Sequence, residues 1–174
     1  MSNRDYLLDT TVLSVFVRLK SGRNDPQCEL LAKRLKDRQD SKIFLCPICV
    51  GEIQRGIRIA PDAKIQKDIA DALSSFYELY PIDEAVAVDC YSVLWARLFK
   101  HYALKSKKTG SPEKIRECER LDKTYTHDMG VQENDLWLTA VAMNYNLVLV
   151  TSDKMNRLKS ISNGDVLFED WLES

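Results

Sequence analysis

The sequence predicts an α/β fold built on a mainly parallel sheet, and three observations point there. Short apolar runs alternate with stretches of helical periodicity, which is the pattern of βα units. The clearest run, Leu147-Val148-Leu149-Val150, is continuously apolar and rich in β-branched residues. Such a run suits a strand covered on both faces. Acidic residues also stand just beyond the ends of these runs, where parallel sheets keep their ligands.

The elements follow in order. Tyr6-Leu7-Leu8 is a short buried strand ending at Asp9. Thr10 or Thr11 then caps a helix through Val12, Leu13, Phe16, Val17 and Leu19. The run Ser21 to Pro26 is turn chemistry, and a second helix carries Leu30, Leu31 and Leu35 at helical spacing. Ile43 to Cys46 is a second strand, ended by Pro47, and Ile48 to Ile59 is a helix with Glu52 in its first turns. Lys64 to Tyr77 is an amphipathic helix, Leu79 to Ile82 a weak strand, and a long helix starts at Asp83 or Glu84 and reaches about His101.

The stretch 103–131 breaks this pattern. It opens on Lys105-Ser106-Lys107-Lys108-Thr109-Gly110-Ser111-Pro112, continues as a charged helical stretch, and is poor in core residues. It reads as an exposed charged insertion in a single domain spanning 1–174. The helix Asp135 to Asn144 restores order, followed by the strand Leu147 to Val150. A short helix lies near Met155 to Leu158, an edge strand at Val166 to Phe168, and Trp171 packs back on the core.

Composition limits the function classes. The chain has 174 residues, 45% hydrophobic, which suits one domain with a real core. Its 25 basic and 26 acidic residues give a net charge of −1, so a basic footprint for nucleic acid is absent overall. Contact with a polyanion must come from local patches or from bound cations. No secretory leader or membrane span is visible, which makes the cytoplasm the simplest location. Five cysteines, an odd number, fit free thiols better than a disulfide framework. Cys46-Pro47-Ile48-Cys49 has C-x-x-C spacing, but zinc would need two further ligands that the sequence does not offer.

The chemistry lies in four acids. Asp9 ends the first strand, Glu52 lies in the helix after the second, and Asp153 follows the strand Leu147 to Val150 by a few residues. Asp135 opens the helix leading into that strand, so all four fall on one edge of the sheet. Converging carboxylates repel and are costly without a counter-charge. Oxygen ligands of this type match Mg²⁺ or Mn²⁺, one or two ions, which would suit phosphodiester hydrolysis.

The residues around the acids carry a resemblance. Tyr6-Leu7-Leu8-Asp9-Thr10-Thr11-Val12-Leu13-Ser14 resembles the opening of PIN-domain ribonucleases, most closely VapC-type toxins. Ile48 to Gly56, Asn134 to Ala142 and Leu149 to Asp153 are similar to the family's second, third and fourth motifs. The resemblance implies a three-layer α/β/α sandwich whose mainly parallel central sheet has four to five strands. It implies Asp9, Glu52, Asp135 and Asp153 as metal-binding catalytic acids, supported by the hydroxyl of Thr151. It further implies cleavage of RNA, a cognate antitoxin partner and a homodimer. Two departures stand out. Cys49 occupies a position where the family usually has a hydroxyl, and the 103–131 stretch is longer than the usual connection.

Plainer readings exist for each acid alone. Asp9 and Asp135 suit helix starts, and Glu52 suits a solvated surface. Two rival functions follow: a catalytically silent RNA- or protein-binding module, and a metal-dependent phosphatase. The opening is similar to that of haloacid-dehalogenase phosphatases, which need a second aspartate where this chain has Thr11.

Overall fold

Tyr6–Leu8 forms β1, and all three residues are buried, as an unbroken apolar run in a covered strand should be. The computed structural model describes residues 4–59, 62–76, 79–102 and 129–173. β1 is flanked by β2 (Ile43–Phe44) and by β3 (Val148–Val150), with β4 (Leu167–Glu169) beyond β3. Every pairing is parallel, and Leu7 faces Phe44 on one side and Leu149 on the other.

Seven α-helices are described: α1 (Thr10–Lys20), α2 (Pro26–Asp37), α3 (Pro47–Ile59), α4 (Ala63–Leu73), α5 (Ser92–Tyr102), α6 (Glu133–Asn144) and α7 (Asn156–Ser162). The strand order β2-β1-β3-β4 makes the chain leave β1 in one direction and return past it in the other. Right-handed crossovers therefore place the helices on both faces, giving the three-layer sandwich. α1 packs on α2, α3 and α4, whereas α5 packs on α6 and α7. α6 is buried on almost every side through Leu136, Leu138, Thr139, Ala140, Val141 and Ala142.

Several boundaries differ from the sequence expectation for physical reasons. Asp9, not Thr10 or Thr11, caps α1, accepting the Val12 N–H at 2.8 Å. α4 stops at Leu73, where the Ser74 N–H closes on the Ala70 carbonyl at 3.0 Å. The expected strand at Leu79 to Ile82 is reduced to one bridge, Leu45 with Leu79. The Tyr80 N–H reaches the Leu45 carbonyl at 2.9 Å, and Pro81 then has no N–H to extend the ladder.

The expected long helix does run to Tyr102, but its first part, Val86–Tyr91, is a π-helical turn. The Asp83 carboxylate accepts the Val86 N–H at 2.9 Å and starts the run. Wide turns of this kind are rare and re-aim side chains. Here Val86 and Cys90 enter the core, while the Tyr91 ring stacks on Trp137 of α6 at 3.8 Å between centroids.

Most of the expected insertion, 103–128, lies outside the described residues. Its end behaves differently from the expectation of an exposed stretch up to 131. Met129 and Val131 are buried, so the core resumes at Met129, inside the stretch expected to be exposed.

The C-terminal segment is held by a clasp around Arg38, just past α2. Its guanidinium pairs with Glu169 at 2.9 Å, donates to the Tyr6 hydroxyl at 3.1 Å, and lies 5.1 Å from the Trp171 ring centroid. The Trp171 indole N–H also donates to Glu169 at 2.8 Å. Trp171 is fully buried against Tyr6, so the clasp binds β4 and the chain end to β1. Trp171→Ala is expected to cost about 3–5 kcal/mol of unfolding free energy. Arg38→Ala is expected to cost about 1 kcal/mol, because its pair is partly solvated. Urea unfolding followed by circular dichroism checks both.

Candidate active site

The site grows out of the joint between β1 and α1. The Asp9 N–H is bound by the Val150 carbonyl at 3.0 Å, which anchors the residue to the carboxyl end of β3. Asp9 is only 2% exposed, with one carboxylate oxygen fixed by the Val12 N–H. Thr151, leaving β3, hydrogen-bonds Asp9 and accepts the Asp153 N–H at 3.0 Å. One hydroxyl thus ties two of the acids to each other. The Thr11 hydroxyl adds a bond to Asp153 at 3.3 Å.

Glu52 approaches from α3. Cys49 and Ile53 of that helix are buried, which turns Glu52 along the margin of the packed face. Both of its oxygens are held: one by the Thr10 hydroxyl, the other by the Asn134 amide at 2.6 Å. Asp135 is the third residue of α6, whose start is packed between α3 and the π-helical turn. All four acids predicted from the sequence therefore meet at the carboxyl edge of the sheet, beside the junction of β1 and β3. A cleft of about 490 Å³ opens there, with Asp135 and Asp153 in its wall.

The electrostatics follow from that crowding. Burial, then the charge of Asp153, push the Asp9 carboxyl up to about 6 despite its hydrogen bonds. Asp135 is also pushed up to about 6, by burial and then by the charges of Asp153, Asp9 and Glu52. The charges acting on Asp135 are thus all of its own sign.

Among the described residues, no three acids, cysteines or histidines already close into a cage around a point. The donor set nonetheless fits a hard divalent cation. It is all oxygen, it is crowded with like charge, and Asp135 has the unrelieved repulsion that a cation would remove. Asp9, Glu52, Asp135 and Asp153 are the residues that would hold it.

Three contacts went unread in the sequence: Thr10 and Asn134 on Glu52, and Thr11 on Asp153. The only sequence signal was position, two hydroxyls directly after Asp9 and an amide directly before Asp135. Cys49 makes a local bond of its own. Its thiol donates to the Leu8 carbonyl at 3.2 Å, at the end of β1. The adjacent Cys46 sulfur, 4.0 Å away, and burial hold the Cys49 thiol well above the usual range, so it stays a protonated donor. Both thiols are free and buried.

Acids gathered on the carboxyl edge of a parallel α/β sheet stand where ligands of such folds bind. The model of the PIN domain matches residues 6–162, and the chain belongs to that family. Its fold is similar to that of VapBC2 from Rickettsia felis, solved bound to a DNA fragment from its promoter. The TM-score is 0.62 at 16% identity, covering 95% of this chain and 98% of that one. It is also similar to FitAcB from Neisseria gonorrhoeae (0.62, 18% identity, 97% and 99% covered). A third structure, VapBC-5 from Mycobacterium tuberculosis, belongs to the VapBC family of toxin–antitoxin systems (0.54, 20% identity, 96% and 97% covered). No curated protein gives a match.

The raised carboxyl groups make a pH prediction. In the folded chain Asp9 and Asp135 hold protons up to about pH 6, but in the unfolded chain only to about 3.8. The folded state therefore takes up protons first, and their contribution to stability rises as pH falls from 7 towards 4. Asp135→Asn is expected to stabilise the metal-free protein at pH 7 by on the order of 1 kcal/mol, discounted for its partial exposure. The gain should shrink as pH falls towards 4, read from melting temperatures in EDTA across that range.

Proposed function

We propose that this protein is a Mg²⁺- or Mn²⁺-dependent endoribonuclease and the toxin of a toxin–antitoxin pair. The observation that carries the reading is Asp135, which feels the charges of Asp153, Asp9 and Glu52 from three other segments and lines a cleft together with Asp153. The cleft lies on the edge where parallel sheets do their chemistry. The proposed roles are those the sequence resemblance assigns: the four acids bind one or two ions, and Thr151 supports them. A bound ion supplies Lewis-acid polarisation of a phosphodiester and makes hydroxide accessible near neutral pH.

The chain's own residues account for the rest. Thr10 and Asn134 fix both oxygens of Glu52, so its carboxylate is oriented before any ligand arrives. Thr151 and the Val12 N–H do the same for Asp9. Such outer contacts govern ligand orientation in metal sites. A chain with net charge −1 binds RNA through local features, with the ions offsetting the acids.

The partner assignments are an RNA substrate, a cognate antitoxin and a second copy of the chain. They rest on the VapC-type motif set, and the fold-level likeness to VapBC and FitAcB structures supports them. Among the described residues no helix is long and apolar enough to cross a membrane. A cytoplasmic site of action suits an RNA target.

Purified protein is expected to cleave single-stranded RNA with Mg²⁺ or Mn²⁺ and to stop on addition of EDTA, as read on denaturing gels. Products should carry 5′-phosphate and 3′-hydroxyl ends. Asn134→Ala should lower the rate by roughly 10–100-fold, the usual cost of losing a supporting contact. Asp9→Asn, which keeps the helix cap, should cost more and abolish growth inhibition on expression. No metal-stimulated cleavage by the wild type, with growth inhibition untouched in Asp9→Asn, would instead favour the silent-module reading.

A further inference from the structure

The cleft that holds Asp135 and Asp153 also carries a cation that the proposed mechanism leaves unused. Arg157, in the first turn of α7, lines the cleft together with Gly130, Gln132, Asp135, Asp153 and Asn156. Three features fix its guanidinium. One Nη donates to the Met129 carbonyl. The guanidinium carbon lies 4.7 Å from the centroid of the Tyr102 ring. Gly130, at φ +68°, leaves the space beside it open. A Cβ at Gly130 would come within 2.6 Å of the Arg157 Nη and 2.8 Å of its Cζ, so only glycine lets the side chain lie there.

No ion pair joins Arg157 to an acid among the described residues. The ion pairs found there use Arg18, Arg38 and Arg97. A guanidinium has five N–H donors in a fixed fork. One is spent on the Met129 carbonyl, leaving donors for a planar anion. The side chain is long and flexible elsewhere in proteins, but here its ordering has already been met by the carbonyl and the ring. A cleft of about 490 Å³ is of a size that takes a nucleotide-scale ligand. Arginine is also the side chain whose fork matches phosphate oxygens.

We infer that Arg157 binds the non-bridging oxygens of a backbone phosphate of the RNA strand lying in this cleft. Gly130 and Tyr102 pre-set its position. The inference rests on the ribonuclease reading and adds to it a substrate-binding residue outside the acid cluster. The strand lies in a cleft lined by charges of both signs, Asp135 and Asp153 with any ions they hold and the guanidinium of Arg157. The positive charge on the α7 wall gives the polyanion a place to sit that the net charge of the chain does not.

The test uses the full chain, a short fluorescein-labelled single-stranded RNA of mixed sequence, and Mg²⁺. Binding is read by anisotropy over a KCl series in an Asp9→Asn background, which prevents cleavage. Adding Arg157→Gln is expected to weaken binding about tenfold and to flatten the log Kd against log salt slope by about 0.7, one phosphate contact. Arg157→Lys should keep the slope and lose part of the affinity, since it keeps charge without the fork. Gly130→Ala, which displaces the guanidinium without removing it, should weaken binding in the same direction. With Asp9 intact, Arg157→Gln should raise KM and leave kcat nearly unchanged. Melting curves identify any variant that fails to fold, and Arg157→Lys and Gly130→Ala then decide. Wild type that cleaves RNA, with affinity and salt slope unmoved by Arg157→Gln, overturns this inference and leaves the ribonuclease reading standing. Wild type that neither binds nor cleaves RNA removes both.

Discussion

Carboxylates held close together and partly out of water repel, and the rest of this structure has to be read against that cost. Asp9 is nearly inaccessible, yet the strongest charge beside it belongs to Asp153. Asp135 has three acids acting on it. An ordinary domain of this size is stable by only about 5–15 kcal/mol, so a strained cluster of like charges consumes a real share of the margin. The fold offsets this with two fully buried central strands, β1 and β3, an α6 packed on nearly all sides, and the clasp of Arg38 with Glu169 and Trp171. Stability gathered away from the cleft is what allows instability within it.

The parallel pairing of β1 with β3 converts that stability into position. It sets Leu8 against Val150, so the residues that follow each strand emerge side by side. Asp9 and Thr151 then share a hydrogen bond, and Thr151 carries Asp153 with it. α6 brings Asn134 and Asp135 to the same edge, and Asn134 reaches across to hold Glu52 on α3. A slip of one residue between β1 and β3 would separate Asp9 from Thr151 and turn the side chains of the displaced strand to the opposite face.

Much of this was legible in the sequence because it is local. Runs such as Leu147 to Val150 declare covered strands, and an acid just past a parallel strand is placed by topology alone. That logic set Asp9, Glu52, Asp135 and Asp153 on one edge without any distance being known. What escaped is long-range or isomorphic in pattern. The Asn134 amide on Glu52 spans 82 positions, and no periodicity encodes it. The π-helical turn at Val86–Tyr91 places apolar residues at spacings an α-helix would also use. Leu79 to Ile82 is apolar enough for a strand, but Pro81 and a single available partner limit it to one bridge. The thiol of Cys49 on the Leu8 carbonyl is a substitution of donor chemistry that only atomic positions could reveal.

The strand order has a consequence for how such a protein comes into being. β1 lies between β2 and β3, and β3 is made more than a hundred residues after it. Synthesis runs from the N-terminus at roughly 5–20 residues per second. A growing chain that has already produced Asp9 and Glu52 still lacks the strand that anchors Asp9 and the loop that carries Asp153. The edge that carries the four acids can therefore be completed only after β3 and the loop bearing Asp153 have been made.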